Sequence, residues 1–304
     1  MLTAQNGHPL LANPVNWQHP FNRGRLIWLR CMPGWMGGAI WRDICAVGNG
    51  TLIDMGNTSN GFRPTMLPGH NGCMLFDGVA GCVSLPSSAI PPTSGPFTVA
   101  LWIKTTQLNS TNQSNLINNE NYGAGSGWTI VDIGPNGTIV SFRINAAVDP
   151  GSTNVASVPR SSLNDGKWHR VVGVYTGTQI SLYLDGTLGQ TQPATTLTPN
   201  LAGGYVGTYS LGGNFTGGMM DDVTIFARAW SAADVLTDYI LSPQGYPGVL
   251  NRQSRAMWVQ SSATAVYSLA SAQGELTRRI CKRQKAPVLR RAPGDVKMGR
   301  GCEG

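Results

Sequence analysis

Hydrophobic and polar residues alternate with a period of two across residues 163–186, whose sequence is LNDGKWHRVVGVYTGTQISLYLDG. Before the TGT sequence at 176–178, every second residue lies on one face of the predicted strand, and these residues are Trp168, Arg170, Val172 and Val174. After it, the apolar residues of one face are Ile180, Leu182 and Leu184. Alternation on both sides of a Gly-containing loop predicts a β-hairpin. The Asp-Gly pair at 185–186 predicts a second turn with positive φ.

Short segments of strand character recur along the chain, between turns rich in Gly, Pro and Asn. The predicted strands are 26–29, 51–53, 73–76, 81–85, 97–104, 128–132, 138–144, 154–158, 205–207 and 219–226. Residues 105–127 are polar, and we predict a surface loop there around a short strand at 116–117. A helix is predicted from residue 232 to about residue 241, because Ser231 is a good N-cap and Asp234 has capping-box spacing. This pattern predicts an antiparallel all-β sandwich.

Composition agrees with this fold class. The 304 residues include 39 Gly and 19 Pro, and only 12% are charged, as expected for many strands joined by many turns. No apolar run approaches the ~20 residues that a membrane helix needs, so we expect no membrane partner. The start of the chain has neither the basic region nor the apolar core of a secretory signal. We therefore expect a virion or extracellular location reached without a signal, or otherwise a cytoplasmic one.

The net charge of +7 is concentrated near the end of the chain. Residues 275–304 hold nine Lys or Arg and three Asp or Glu, whereas the remaining residues hold thirteen and twelve. We predict an irregular arm at 1–21, the sandwich at 22–250 and an extended basic tail at 251–304. The tail residues that could bind nucleic acid are Arg278, Arg279, Lys282 and Arg283. The alternative is a solvated tail without a partner.

The six cysteines do not form a recognisable zinc motif, since no pair has the required spacing. Cys73 and Cys82 flank the turn near residue 77 and could face each other across two strands. Without a secretory signal, reduced and buried thiols are favoured over a disulfide.

Five motifs in order resemble laminin G-like domains of the concanavalin A-like lectin/glucanase superfamily. DGKWH and YLDG resemble the central hairpin of these domains. The other motifs are CMLFDG at 73–78, FTVALWIK at 97–104, GMMDDVTIF at 218–226 and RAWS at 228–231. The resemblance implies a jelly-roll sandwich of two antiparallel sheets, each with about six or seven strands, and one short helix after the last strand.

Catalysis of the superfamily's glucanase type is not expected. Retaining hydrolysis needs two carboxylates about 5–5.5 Å apart, which these enzymes place on one strand as Glu-x-Asp-x-x-Glu. The chain contains only Glu120, Glu275 and Glu303, and none lies in such a strand. We expect His169 to hydrogen-bond neighbouring backbone rather than to act in catalysis. The sequence therefore predicts a non-enzymatic protein.

The resemblance also implies a structural calcium site. Asp221 stands where many members carry a calcium ligand in the last strand, and Asp77 could contribute from the Phe-Asp-Gly turn. In the alternative, Asp221 accepts backbone N–H bonds and Asp77 is only a turn residue. Calcium binding predicts a higher melting temperature in calcium than in chelator.

Rim loops are the predicted ligand site, as in lectins. The loops 105–127 and 209–217 would bind a carbohydrate or a protein surface through amide hydrogen bonds and aromatic stacking. The candidate residues are Trp35, Asn118, Asn119, Asn121, Tyr122 and Asn214. Alternatively, the loop residues are only solvated and Trp35 only packs. A second function class is a bacteriophage virion protein, a capsid decoration or fibre that uses the sandwich as a docking block. A glycoside hydrolase is third.

Overall fold

The structure is a computed structural model in which part of the chain is described. The described residues are 23–29, 31, 40–41, 43, 45, 49–54, 65–67, 73–91, 94–108, 114–133, 138–147, 152–209 and 213–241. The predicted arm at 1–21, Trp35 and the predicted tail at 251–304 lie outside them. In the described part of the chain, no helix is long and apolar enough to cross a membrane.

Besides three short 3-10 helices, the described residues contain sixteen strands and one α-helix. In chain order they are β1 (Arg25–Leu29), β2 (Ile40–Trp41), β3 (Gly50–Asp54), β4 (Thr65–Leu67), β5 (Cys73–Asp77), β6 (Gly81–Leu85), β7 (Phe97–Lys104), β8 (Ser114–Asn118), β9 (Trp128–Ile133), β10 (Ile139–Ile144), β11 (Val155–Pro159), β12 (Trp168–Tyr175), β13 (Gln179–Leu184), β14 (Thr187–Pro193), β15 (Gly204–Val206), β16 (Gly217–Phe226) and α1 (Ala232–Leu241).

The strands form two antiparallel sheets, which confirms the predicted jelly-roll sandwich. Sheet one has the order β14-β13-β12-β7-β16-β5-β4, with β1 beside the second half of β16. Sheet two has the order β11-β10-β9-β8-β15-β6-β3-β2. Each sheet has eight strands rather than the predicted six or seven, because β4 and β14 were not predicted as strands and β2 has only two residues. Cys73 and Cys82 are buried on different sheets, in β5 and β6.

The core between the sheets is built around Phe97. Its ring centroid lies 5.6 Å from that of Trp128, 5.9 Å from Phe142 and 5.5 Å from Tyr175. All four side chains are buried, and they come from both sheets. Alternation along each strand therefore places one row of side chains in a shared aromatic core.

Gly173 in β12 leaves the space that the Phe142 ring occupies. A Cβ atom on Gly173 would lie 2.7–3.0 Å from three atoms of that ring. We expect Gly173→Ala to lower the free energy of unfolding by about 1–3 kcal/mol, because the ring must move within a packed core. Urea unfolding measures this change. Gly213→Ala is the matched control, since nothing lies within 4 Å of its added Cβ; equal effects at both sites would contradict the packing.

Helix α1 covers the outer face of sheet one. A second buried cluster lies there and contains Ala100, Val172, Val174, Tyr183, Phe226, Trp230 and Val235. The predicted cap is confirmed, because Asp234 N donates to Ser231 Oγ (3.1 Å) and Ser231 N donates to Asp234 Oδ2 (2.9 Å). Both faces of β12 are therefore buried, one against sheet two and one against the helix.

The predicted surface loop at 105–127 contains the predicted short strand at 116–117, which is part of β8, a central strand of sheet two. The strand was predicted, but its central place in a buried sheet was not. Leu116 and Ile117 enter the core, while Asn115 and Asn118 point to the outer face of the sheet. Thr129 Oγ1 donates to Asn115 Oδ1 (3.1 Å), and Glu120 N donates to Asn118 Oδ1. The polar residues that suggested a loop are thus partnered within the sheet.

Candidate functional site

Two loops at one end of sheet two are connected to each other by hydrogen bonds. Asn119 Nδ2 donates to the carbonyls of Ala202 (3.0 Å) and Gly203 (3.2 Å). Asn200 Nδ2 donates back to Asn119 O (2.9 Å). These bonds join residues 119–127 to residues 197–209, and we call the joined loops the rim.

The rim presents exposed apolar side chains to solvent. Tyr122 is 54% exposed and Leu201 is 66% exposed. The backbone N–H of Tyr122 donates to the Tyr209 hydroxyl (2.9 Å), so the two tyrosines are neighbours. Asn121 Oδ1 accepts from Ala124 N (3.2 Å) and holds the short turn that carries Tyr122. Exposed aromatic rings on a backbone fixed in this way suit stacking against a ligand.

A buried polar cluster lies beside the rim, on the outer face of sheet two. Its members are Asn115, Asn118, Glu120, Thr129 and Arg143. Thr129 in β9 stands opposite Asn118 in β8 and opposite Arg143 in β10. Directly opposed residues have Cβ atoms about 4.5–5.5 Å apart, so the three side chains form one row across the sheet.

Glu120 and Arg143 form a two-bond ion pair in this cluster. Arg143 Nε donates to Glu120 Oε1 (3.0 Å), and Arg143 Nη2 donates to Oε2 (2.7 Å). Both side chains are almost fully buried. Burial raises the pKa of Glu120, and the adjacent guanidinium acts in the opposite direction. Both carboxylate oxygens of Glu120 are therefore bonded to the Arg143 guanidinium. This arrangement is compatible with a structural or ligand-binding role.

The structure brings some of the predicted ligand residues together at the rim. Asn118 and Asn119 are buried, and their side chains bond to backbone within the rim. Asn121 and Tyr122 are exposed. Asn214 has φ 62°, and its carbonyl accepts from Asn115 N (3.1 Å). Ligand binding by these residues stays a prediction.

Sequence reasoning missed Arg143, Thr129 and Tyr209. The hairpin of β9 and β10 was predicted, and its period of two already placed Thr129 and Arg143 on the face opposite Phe142 and Ile144. That alternation was the available signal. Tyr209 had none, because its role depends on a partner 87 residues away in the chain.

The two predicted calcium ligands do not meet. Asp77 lies opposite Gly217 in β16, four residues before Asp221, a separation of about 13 Å along a strand. Asp77 Oδ1 accepts the backbone N–H groups of Val79, Ala80 and Gly81, and Asp221 Oδ1 accepts that of Cys31. Among the described residues, no group of three or more His, Cys, Asp or Glu is arranged to hold a metal ion. Calcium binding stays a prediction, tested by melting in calcium and in chelator.

His169 bonds to two carboxylates rather than to backbone, so the expectation for it was wrong. Its Nδ1 lies 2.8 Å from Asp185 Oδ2, and its Nε2 lies 2.9 Å from Asp165 Oδ1. The Asp185-Gly186 turn brings Asp185 back to β12, since both residues have the predicted positive φ. The imidazole therefore ties the loop before β12 to the turn after β13.

This arrangement makes stability depend on pH. The bond to Asp185, and then that to Asp165, raises the pKa of His169, and the bond from His169 lowers the pKa of Asp165. The contribution of His169 to the stability of the fold is fully present below the unfolded-state pKa of ~6.5. It is lost as the pH rises through the raised pKa of the folded state. The contribution of Asp165 is present above ~3.9 and is lost as pH falls.

We expect His169→Gln to destabilise the protein more at about pH 5 than at about pH 9, because the imidazole is charged only at the lower pH. Lys167 Nζ also contacts Asp165 Oδ2 (3.0 Å). Urea unfolding of both proteins at the two pH values measures the difference. A loss that is independent of pH would contradict the two-carboxylate contact.

A protein-family model agrees with the fold and its motifs. The laminin G type model of the "Concanavalin A-like lectin/glucanases superfamily" matches residues 77–236, more than half of the chain. A search of curated proteins finds no match to the sequence.

Solved structures of similar fold include toxin binding domains. The binding domain of botulinum neurotoxin DC in complex with rat synaptotagmin II has a TM-score of 0.51 at 15% identity, covering 71% of this chain and 51% of that one. The same domain in complex with SialylT has a TM-score of 0.52 at 16% identity, and the match covers 72% of this chain and 52% of that one. The binding domain of Paraclostridial Mosquitocidal Protein 1 has a TM-score of 0.50 at 13% identity, and the match covers 74% of this chain and 55% of that one. The chain thus spans about half the length of these structures, and the likeness shows the fold.

Proposed function

Because the chain belongs to the laminin G-like family of the concanavalin A-like lectin/glucanases superfamily, we propose that it is a non-catalytic binding module for carbohydrate. The observation that carries the proposal is the rim, where hydrogen bonds fix two loops and Tyr122 remains exposed. A preorganised loop loses little conformational entropy when it binds a ligand. Aromatic rings and amides are the groups that stack on sugar rings and bond to hydroxyls.

A non-catalytic role is supported by the pairing of Glu120. A general acid or nucleophile in glycoside hydrolysis must approach the glycosidic bond with a carboxyl oxygen. Both oxygens of Glu120 accept hydrogen bonds from Arg143, which favours the ionised carboxylate and so disfavours its use as a general acid. Glu120 is also the one glutamate of the chain that falls in the matched family segment.

A protein surface is the second candidate ligand. Tyr122 and Leu201 are large apolar side chains exposed on the two joined loops. Aromatic residues of this kind are enriched at protein interfaces. A glycan array detects binding of the protein to carbohydrate but not to another protein, so one experiment separates the two ligand classes.

We expect the full chain to bind a subset of oligosaccharides on a glycan array, and Tyr122→Ala to weaken that binding by about tenfold or more, because an aromatic anchor is lost. Leu236→Ala is the matched control, since Leu236 is 47% exposed on α1, away from the rim. If the chain bound no glycan, the carbohydrate proposal would be contradicted and a protein surface would remain as the candidate ligand. Equal loss in both variants would contradict a site at the rim.

The remaining sequence predictions have separate tests. Purification of the chain with phage particles would support the virion role. Nucleic-acid binding by the tail predicts salt-dependent affinity that is lost when residues 278–304 are deleted. Neither affects the binding module proposed above.

A further inference from the structure

Three hydrogen-bond donors of the buried polar cluster have no hydrogen-bond partner among the described residues. They are Asn115 Nδ2, Asn118 Nδ2 and Arg143 Nη1. The three residues are at most 1% exposed. Buried donors in folded proteins almost always have a partner, because an unpaired one loses its hydration without compensation. Three such donors in one place therefore form a polar site that a ligand or buried water can satisfy.

These donors belong to one patch rather than to three separate defects. Asn118 and Arg143 flank Thr129 as its direct neighbours on the two adjoining strands. Asn115 joins the same patch, since its Oδ1 accepts from Thr129 Oγ1 (3.1 Å). The other polar atoms nearby are already used: Asn118 Oδ1 accepts from Glu120 N, and Arg143 Nε and Nη2 bond to Glu120.

The free bonding capacity of the patch defines the chemistry of a ligand. All three unpartnered groups are donors, so a ligand must supply acceptor oxygens. Glu120 neutralises Arg143, so the patch has no net charge that would select an anion. The carboxylate of Glu120 keeps lone pairs that can accept a hydrogen bond from a hydroxyl group. Hydroxyl groups, which both donate and accept, fit this combination.

We propose that the polar cluster binds the hydroxyl and ring oxygens of a neutral saccharide, with Arg143, Asn115 and Asn118 donating and Glu120 accepting. This assignment rests on the proposed carbohydrate-binding function and names the ligand class and the residues. The stacking surface is next to it, at the rim. Tyr122 is bonded to Tyr209, and Glu120 follows Asn118 and Asn119 into the rim.

Tyr209 lies near the cluster, because its hydroxyl accepts a hydrogen bond from the backbone N–H of Tyr122, two residues after Glu120. Burial raises the pKa of Tyr209. The hydroxyl is held by one exposed hydrogen bond, from Tyr122 N (2.9 Å). Because the cluster atoms are closed to solvent, the proposed site requires the rim around Tyr209 to move before a saccharide can reach them. A single exposed bond opposes that movement only weakly.

The test uses the full chain and a glycan array that carries neutral and acidic oligosaccharides. The first variant is Glu120→Leu with Arg143→Met, which replaces the ion pair by apolar side chains of similar volume; such replacements are often neutral for stability. The matched control is Asp238→Leu with Arg170→Met, which likewise removes both charges of the buried ion pair between sheet one and α1 (Arg170 Nε to Asp238 Oδ2, 2.6 Å). Thermal unfolding of each variant reports whether it folds.

We expect the wild type to bind neutral glycans, the Glu120/Arg143 variant to bind them more weakly by about a hundredfold, and the control to bind as the wild type does. Asn115→Ala provides a second measurement if the double variant does not fold. It removes one unpartnered donor and keeps the ion pair, and Thr129 Oγ1 still donates to Ile117 O (3.0 Å). We expect it to weaken binding by about tenfold.

Two results would overturn this assignment while the proposed function stands. One is unchanged binding by the folded Glu120/Arg143 variant or by Asn115→Ala, which would place the sugar site elsewhere and leave the donors to buried water. The other is binding of acidic glycans alone. Binding of no glycan by the wild type would overturn the assignment and the carbohydrate function together.

Discussion

Asp238→Ala is expected to lower the free energy of unfolding by about 3 kcal/mol, because it leaves the Arg170 guanidinium buried without its main partner. Arg170 is 1% exposed, and its Nε donates to Asp238 Oδ2 (2.6 Å) on helix α1. The expected loss is at the lower end of the usual 3–5 kcal/mol because Arg170 Nη1 keeps its bond to Asp222 O (2.9 Å). Denaturant unfolding of the full chain measures it.

The paired replacement Asp238→Leu with Arg170→Met is the control for this effect. It removes both charges, so we expect stability within about 1 kcal/mol of the wild type. If Asp238→Ala were as stable as the wild type, the ion pair would not hold α1 on sheet one. If the paired replacement were as unstable as Asp238→Ala, lost packing rather than an unpaired charge would be the cause.

Phe97→Ala is expected to lower the free energy of unfolding by about 3–5 kcal/mol, since it opens a cavity where both sheets meet. Phe97 is fully buried and contacts the rings of Trp128, Phe142 and Tyr175. Tyr122→Ala, on the exposed rim, should change stability by no more than about 0.5 kcal/mol. Equal losses in the two variants would contradict a core centred on Phe97.

The elements with a strong local period could be predicted from the sequence. The hairpin of β12 and β13, the strand β7 and the capped helix α1 have the predicted bounds or nearly so. In each of them the alternation, the turn residues or the cap lie within a few residues of one another. Local signals of this kind need no knowledge of the tertiary partner.

Features that depend on distant partners could not be predicted. Only residues 116–117 of β8 were predicted as a strand, within a polar loop, because nothing in the segment shows that its asparagines bond within a buried sheet. His169 was expected to bond to backbone, but its partner Asp185 arrives only after the hairpin folds. The pairing of Glu120 with Arg143 likewise joins residues 23 apart in the chain, on different elements.

An NMR titration of the full chain with the neutral oligosaccharide that binds best on the array would locate the site most directly. We predict shift changes in residues 115–129, Arg143 and residues 200–209, with α1 and β14 unaffected. Changes confined to α1 and β14, or no neutral oligosaccharide that perturbs any residue of sheet two, would contradict a saccharide site at the rim and polar cluster.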